Sequence, residues 1–241
     1  MPDGIASYTV GGKTFLITAN EGDAREYEDE DADFEFIEAE RIGNDKIMLD
    51  PVAFPDAEVL KENANLGRLD ITTTLGKNPT TGLYEALFAF GGRSFSIWSA
   101  AGDLVFDSGD DLEWITASTY PEHFNASNDN NNFDNRSDNK GPEPEGVVIG
   151  HLYGKDYAFV GLERIGGVAV YNVSNPYAPH FVTYVNVRDF DADVDSSAAG
   201  DLGPEGLVFI EARNSPNHKP LLVIGNEVSG ITRILQINQL Q

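Results

Sequence analysis

The sequence predicts an all-β fold: a β-propeller of about four blades, each of four antiparallel strands. Three observations predict it. First, an acid followed by Gly opens similar stretches: "MPDGIASY" at the start, "GPEPEGVVIG" from Gly141 and "GPEGLVFI" from Gly203. Second, each opening leads into a pair of apolar runs that ends on a glutamate: "KTFLITANEG", "KDYAFVGLER" and "KPLLVIGNEV". The first Gly and that Glu are 17 positions apart in the first two copies and 21 in the third, where "RNSPNHK" lengthens the hairpin. Third, short β-rich runs alternate with Gly, Asn, Asp and Pro turns, and long helical periodicity is missing.

A β-sandwich also uses many short strands, but it gives no reason for an acid to recur at one point of each repeat. The approximate blades are 1–66, 67–140, 141–200 and 201–241 of one propeller domain, 1–241. In the third, Val147–Ile149, Ala158–Leu162, Gly167–Tyr171 and Phe181–Val187 read as four strands. "EALFAFGGRSFSIWSAAGDLVFDSG" has the same rhythm and is expected as a further unit, with Gly92 where the others carry Glu21, Glu163 and Glu227. A helical turn is expected around Pro55–Asn63. The last unit reads as one strand short, so the chain is expected to belong to a larger ring of seven or eight blades. Closure by dimerisation through open blade edges is the alternative, because unpaired strand edges invite pairing.

Composition narrows the function. The 241 residues carry a net charge of −24 with 41% hydrophobic residues, enough for a sizeable core. Such charge repels nucleic acid and favours cations, or simply a solvated, highly soluble surface. Cysteine is absent, which excludes disulfides, thiolate metal sites and cysteine nucleophiles. No apolar run approaches the length of a membrane span. Three N-x-[ST] sequons, at Asn125, Asn135 and Asn172, read as chance matches.

If the first strand of each blade lines a central channel, Asp3, Glu145 and Glu205 begin such strands and Glu21, Glu163 and Glu227 end the next ones. Antiparallel pairing then brings six carboxylates to one rim. Like charges so placed need a cation or basic side chains, and hard oxygen ligands suit Ca²⁺, or Mg²⁺. Arg93, Arg164 and Arg233 follow closely in sequence and could neutralise them instead. Each Glu could also simply accept backbone N–H bonds from the neighbouring blade.

"DEDADFEFIEAE" (Asp29–Glu40) and "DFDADVDSSAAG" (from Asp189) alternate acids as calcium loops do. Each lacks the Gly at the sixth position, and both read as solvated loops. The Asn-rich tract before Glu143 and Glu145 is expected to fold over the same rim. Nucleophile elbows, zinc-protease helices, Walker loops and dinucleotide fingerprints are absent, and the four histidines are scattered through presumed loops.

The segments "TANEGDAREY", "LGRLDIT", "FGGRSFSIW", "LVFDSG", "RSDNKGPEPEGV", "YAFVGLERIGGVAVYNV", "DLGPEGLVFI" and "LLVIGNEVSG" span nearly the whole chain. Together they resemble the choice-of-anchor I family of extracellular β-propellers. That family includes mesenchyme-specific cell-surface glycoproteins linked to biomineralisation and atypical alkaline phosphatases. The resemblance implies the carboxyl-terminal half of a longer propeller, secreted, periplasmic or on the cell surface. One departure is "TTLGKNPTTGLYEALF", which keeps only Glu85 where the family has an Asp- and Gly-rich calcium-type loop.

Three functions follow as expectations. The first is a binding module of structural or adhesive role, in which Glu21, Glu145, Glu163, Glu205 and Glu227 hold a divalent cation, Ca²⁺ before Mg²⁺. The second is a metal-dependent phosphomonoesterase, in which Arg93 and Arg164 clamp a phosphate-containing or mineral ligand. The third is metal-free, with the acids locking blade to blade.

Overall fold

A computed structural model describes residues 2–29 and 34–239. In chain order its elements are β1 (Ile5–Val10), β2 (Lys13–Ala19), β3 (Glu26–Asp29), β4 (Phe34–Ile37), β5 (Ala39–Arg41), α1 (Ala57–Leu60) and β6 (Asp70–Thr72). There follow β7 (Phe95–Ser99), β8 (Leu104–Asp107), α2 (Asp111–Thr119), β9 (Pro144–Leu152), β10 (Lys155–Leu162), β11 (Val168–Asn172) and β12 (His180–Val185). The last are β13 (Pro204–Ile210), β14 (Leu221–Asn226) and β15 (Ile231–Gln236).

Among the described residues these elements divide into two compact units, one within residues 22–91 and 137–140, the other within residues 2–21, 92–136 and 141–239. The larger unit holds three antiparallel sheets, ordered β1-β2-β7-β8, β9-β10-β11-β12 and β13-β14-β15. This is the all-β, propeller-like architecture that the repeat predicts.

Local chemistry sets the hairpins. Val10 pairs with Lys13 and Leu152 with Lys155, so each first hairpin turns on two residues, Gly11-Gly12 and Tyr153-Gly154. All four have positive φ, as the tight turn matching strand twist requires. Along β10 successive side chains alternate between faces. Ala158, Val160 and Leu162 pack with Phe15, Ile17, Phe95 and Ile97 of the first sheet, while Phe159 packs with Leu222 and Ile224 of the third. The middle sheet is covered on both faces, which is why "YAFVGL" is apolar throughout rather than alternating.

Strand pairing draws the blades differently from the expected boundaries. β7 and β8, read from the sequence as part of a separate unit within 67–140, complete the sheet that β1 and β2 begin, with Phe15 opposite Ser99 and Ala19 opposite Phe95. The reason is the excursion of residues 22–91 between the second and third strands, which stretches one blade across both expected ranges. The range 141–200 does hold the four-stranded sheet β9–β12, and 201–241 holds three strands among the described residues.

The smaller unit is built from the hairpins β3-β4 and β5-β6 and a core of Ile42, Ile47, Leu49, Ile71 and Tyr84. α1 lies within the expected helical turn. Buried Glu38 takes two hydrogen bonds from the Arg25 guanidinium, at 2.8 and 3.1 Å, and one from Thr72 Oγ1 at 2.7 Å. The Arg25 bonds, helped by those from Thr72 and Thr74 and opposed by burial, hold its carboxyl down at about 2.

The acid-Gly starts have a packing role. β9 lies against both β1 and β13. A Cβ on Gly4 would meet the Glu145 carbonyl oxygen at 2.4 Å, and one on Gly146 the Glu205 carbonyl oxygen at 2.1 Å. The Gly4 N–H also donates to the Glu145 carbonyl at 2.9 Å. Each Gly therefore admits the backbone of the next sheet's acid, and no other residue fits there.

Candidate metal centre

The site is built where β9 begins and β10 ends. In "GPEPEG" the two prolines flank Glu143, whose φ of 52° is left-handed and whose side chain is fully buried. A bulky residue held in that region is kept there by its surroundings. Here the Glu163 N–H donates to the Glu143 carbonyl at 2.9 Å, tying the segment to the end of β10.

Arg164 stands between the two glutamates. Its Nε lies 3.0 Å from Glu143 Oε2 and its Nη1 3.1 Å from Glu163 Oε1. Arg136 also pairs with Glu143. Asn128 donates to Glu163 Oε1 at 2.9 Å and accepts from Arg164 Nη1 at 3.2 Å. The Asn-rich tract thus folds over these acids, as its position before Glu143 predicts.

Carboxylate oxygens of Glu21, Glu143 and Glu163 lie within 4.8 Å of one another. Oxygens sharing one Ca²⁺ at 2.3–2.6 Å can be up to about 5 Å apart, so the spacing fits that ion. Glu145, two residues on, has one carboxylate oxygen buried without a hydrogen-bond partner among the described residues. Burial first, then the charges of Glu163, Glu21, Glu205 and Asp3, push its carboxyl up to about 8. Glu205 is raised as well, mainly by the charge of Glu227, with which it shares a side-chain hydrogen bond. Burial pulls Arg164 down, but Glu143 and Glu163 more than offset this and hold it above its ordinary value.

Of the expected set the structure brings Glu21 and Glu163 together, with Glu143; Glu145 feels the charges of Glu163, Glu21, Glu205 and Asp3, and Glu205 that of Glu227. Two expected roles find other partners: Arg93 Nη1 pairs with Glu113 at 2.8 Å, and Arg233 with Asp201 at 2.7 Å. Glu143, Asn128 and Arg136 were not among the expected site residues. The signal for Glu143 was the extra Pro-Glu that only the second acid-Gly start carries.

The calcium-like segments behave as ordinary structure. Residues 30–33 of the first lie outside the described residues; Glu40 pairs with Lys46 at 3.0 Å. In the second, Asp189 and Asp193 accept from the N–H groups of Asp191 and Asp195 in exposed turns. The sequons at Asn125 and Asn172 are buried.

A pH dependence follows from Glu145. Its folded carboxyl is raised, so its contribution to stability is fully present below the unfolded value near 4.5 and lost as pH rises through about 8. Metal-free protein is expected to lose melting temperature as pH rises from about 4.5 to about 8, and Glu145→Gln to flatten that slope. An unchanged slope in the variant would assign it to other groups.

Residues 1–176 match the choice-of-anchor I domain. Gigasin-3a of Magallana gigas is 26% identical over 193 residues, covering 75% of this chain and 68% of the relative. The mesenchyme-specific cell surface glycoprotein of Strongylocentrotus purpuratus is 27% identical over 206 residues, covering 72% of this chain and 26% of the relative. With a match that runs from the first sheet through the Glu143–Arg164 centre, the chain belongs to the choice-of-anchor I domain family.

Proposed function

We propose that this chain is an extracellular or cell-surface β-module that holds a divalent cation, Ca²⁺ in preference to Mg²⁺, at Glu21, Glu143 and Glu163, with a structural or adhesive role. The observation that carries the reading is the meeting of those three carboxylates within 4.8 Å beside the unpartnered oxygen of Glu145. Arg164 and Arg136 supply part of the counter-charge; a divalent ion supplies more and lets Glu145 ionise at neutral pH. Glu205 and Glu227 extend the acidic surface outward and attract the ion over a longer range. Surface placement is supported by family membership and by the name of the sea-urchin relative. Among the described residues no helix is long and apolar enough to cross a membrane.

No observation favours the phosphoesterase reading. Arg93 and Arg164, the residues expected to clamp a phosphate, both face carboxylates.

The test is thermal unfolding of chelator-treated protein with and without Ca²⁺ at constant ionic strength. Ion at a hundredfold excess over its dissociation constant stabilises by about 2.7 kcal/mol, which is a rise of about 5–10 °C for a chain of this size. Glu163→Gln is expected to abolish the rise. A rise of equal size with any salt, or one that persists in Glu163→Gln, would overturn the site.

A further inference from the structure

Arg188, in the segment after β12, is 6% exposed, yet among the described residues its guanidinium meets no carboxylate. Nη1 donates to the Arg164 carbonyl at 2.9 Å, and Nη2 donates to the Asn130 carbonyl at 3.1 Å and to Asn131 Oδ1 at 2.8 Å. Its Nε is buried without a hydrogen-bond partner among the described residues. Burial pulls the guanidinium down to about 10, opposed by Tyr184 and Asp129, so it stays charged at neutral pH. A buried cation without a carboxylate partner costs stability on its own account. Its placement therefore points to what its acceptors have in common.

Those acceptors lie on segments that carry the acid centre. Arg164 offers its carbonyl, while its side chain pairs with Glu143 and Glu163. Asn130 and Asn131 belong to the Asn-rich segment 124–136, which closes on itself: the Asp134 N–H donates to the Phe124 carbonyl at 2.7 Å and the Arg136 N–H to the Asn125 carbonyl at 2.9 Å. One side of this closed loop faces the acids, where Asn128 donates to Glu163 and Arg136 pairs with Glu143. The other side is held by Arg188 and by Asn131 Nδ2, which donates to the Ala192 carbonyl at 2.9 Å. The neighbouring His123 stacks at 4.6 Å on Phe190, the same ring that lies under the Arg188 guanidinium. Asn186 fixes Arg188 in turn, accepting from its backbone N–H at 3.0 Å and donating to the Ile165 carbonyl at 3.0 Å.

We propose that Arg188 is a positioning residue of the cation centre, and that segment 124–136 is a strap which it holds shut. The planar fork of the guanidinium joins the Arg164 backbone to the strap. Asn128 and Arg164 thereby keep their places on Glu163, as outer hydrogen-bond partners of metal-ligating carboxylates do. The inference rests on the reading that Glu21, Glu143 and Glu163 hold a divalent cation. With Glu143 fully buried and Glu163 5% exposed, an ion seated on them is expected to leave more slowly while the strap is shut.

The experiment has two arms, one of them without metal. In chelator-treated protein, hydrogen exchange is read at the Asp134 and Arg136 amides, which the strap's own bonds protect. Arg188→Gln is expected to speed that exchange about tenfold or more, while the amides of β10 keep their protection. In the second arm, Ca²⁺ binding is measured by titration calorimetry and its release by stopped-flow mixing with a chelator. Arg188→Gln is expected to weaken binding by about tenfold or more, through faster release. Arg188→Lys, which keeps the charge but not the fork, should recover only part of that loss. Asn128→Ala added to Arg188→Gln should cost nothing further, because both act on the same contact with Glu163. Asn131→Ala keeps the guanidinium and removes one of its acceptors, so it should give the same changes at smaller size even where Arg188→Gln does not fold. Full recovery by Arg188→Lys, losses that multiply in the double variant, or unchanged exchange in the metal-free variants would overturn the proposal. Wild-type protein that takes up no Ca²⁺ would overturn the cation reading and the positioning role with it, whereas wild-type uptake matched by Arg188→Gln would overturn the positioning role alone.

Discussion

Arg164→Met is expected to destabilise the protein by about 3–5 kcal/mol at neutral pH, the cost of removing one partner from a buried ion pair. The guanidinium faces Glu143, whose side chain is fully buried, and Glu163, which is nearly so. Without it these acids and Glu21 keep their mutual repulsion and lose the cation that pairs with two of them. Methionine keeps much of the volume, so the loss reports charge rather than a cavity. Urea unfolding checks the magnitude. Two further readouts separate the electrostatic cause from a packing defect: the deficit should shrink at acidic pH as the carboxylates protonate, and Ca²⁺ should restore part of it by supplying the missing positive charge. A loss under about 1 kcal/mol, within the usual range for exposed pairs, would mean that Arg164 is not the counter-ion of this centre.

Gly146→Ala is expected to be comparably severe for a different reason. Its methyl carbon would sit 2.1 Å from the Glu205 carbonyl oxygen, closer than any non-bonded contact, and that oxygen belongs to backbone that cannot rotate away. Overpacking of this kind costs about 1–3 kcal/mol and more where the backbone itself must move. Here the second and third sheets must separate along β9 and β13, so the upper end of that range is expected. Gly206→Ala is the internal control, because the same substitution at the corresponding residue of the third sheet meets open space. Chemical denaturation of the two variants should give a large loss for the first and almost none for the second. Equal losses would contradict the packing role assigned to the acid-Gly starts.

Much of this arrangement is legible in the chain. The run Lys155–Leu162 reads as a strand covered on both sides because it lacks polar alternation, and the turn residues on either side fix its ends. The recurrence of Asp3-Gly4, Glu145-Gly146 and Glu205-Gly206 marks three equivalent inner strands, and the pairing register places their acids near one another. The membership of Phe95–Ser99 in the sheet begun by Ile5 is not legible locally. Its partner strand lies some 76 positions earlier in sequence at the Ala19–Phe95 pair, across an excursion that carries strands of its own. α2 escapes a periodicity search because nine residues bury only Leu112 and Thr116.

The centre was half legible. Repetition singles out acids that recur, and Glu143 occurs once, so a search built on recurrence passes over the most deeply buried carboxylate of the group. Arg164 stands out by adjacency to Glu163, but adjacency does not say whether a guanidinium faces a phosphate or neutralises the acids beside it. Only the fold, by bringing Pro142–Glu143 against the end of β10, decides that. Asn128 and Arg136 sit in a polar tract whose composition points to a loop without saying which of its residues turn inward.

A divalent cation held among Glu21, Glu143 and Glu163 would be seen by anomalous diffraction from crystals grown with Ca²⁺ and, in parallel, with a lanthanide of similar radius. One strong anomalous peak is expected within about 2.6 Å of an oxygen from each of the three glutamates, absent from crystals of Glu163→Gln. A peak confined to the exposed acids of Glu205 and Glu227, or no peak at all at an ion concentration that shifts the melting temperature, would contradict it.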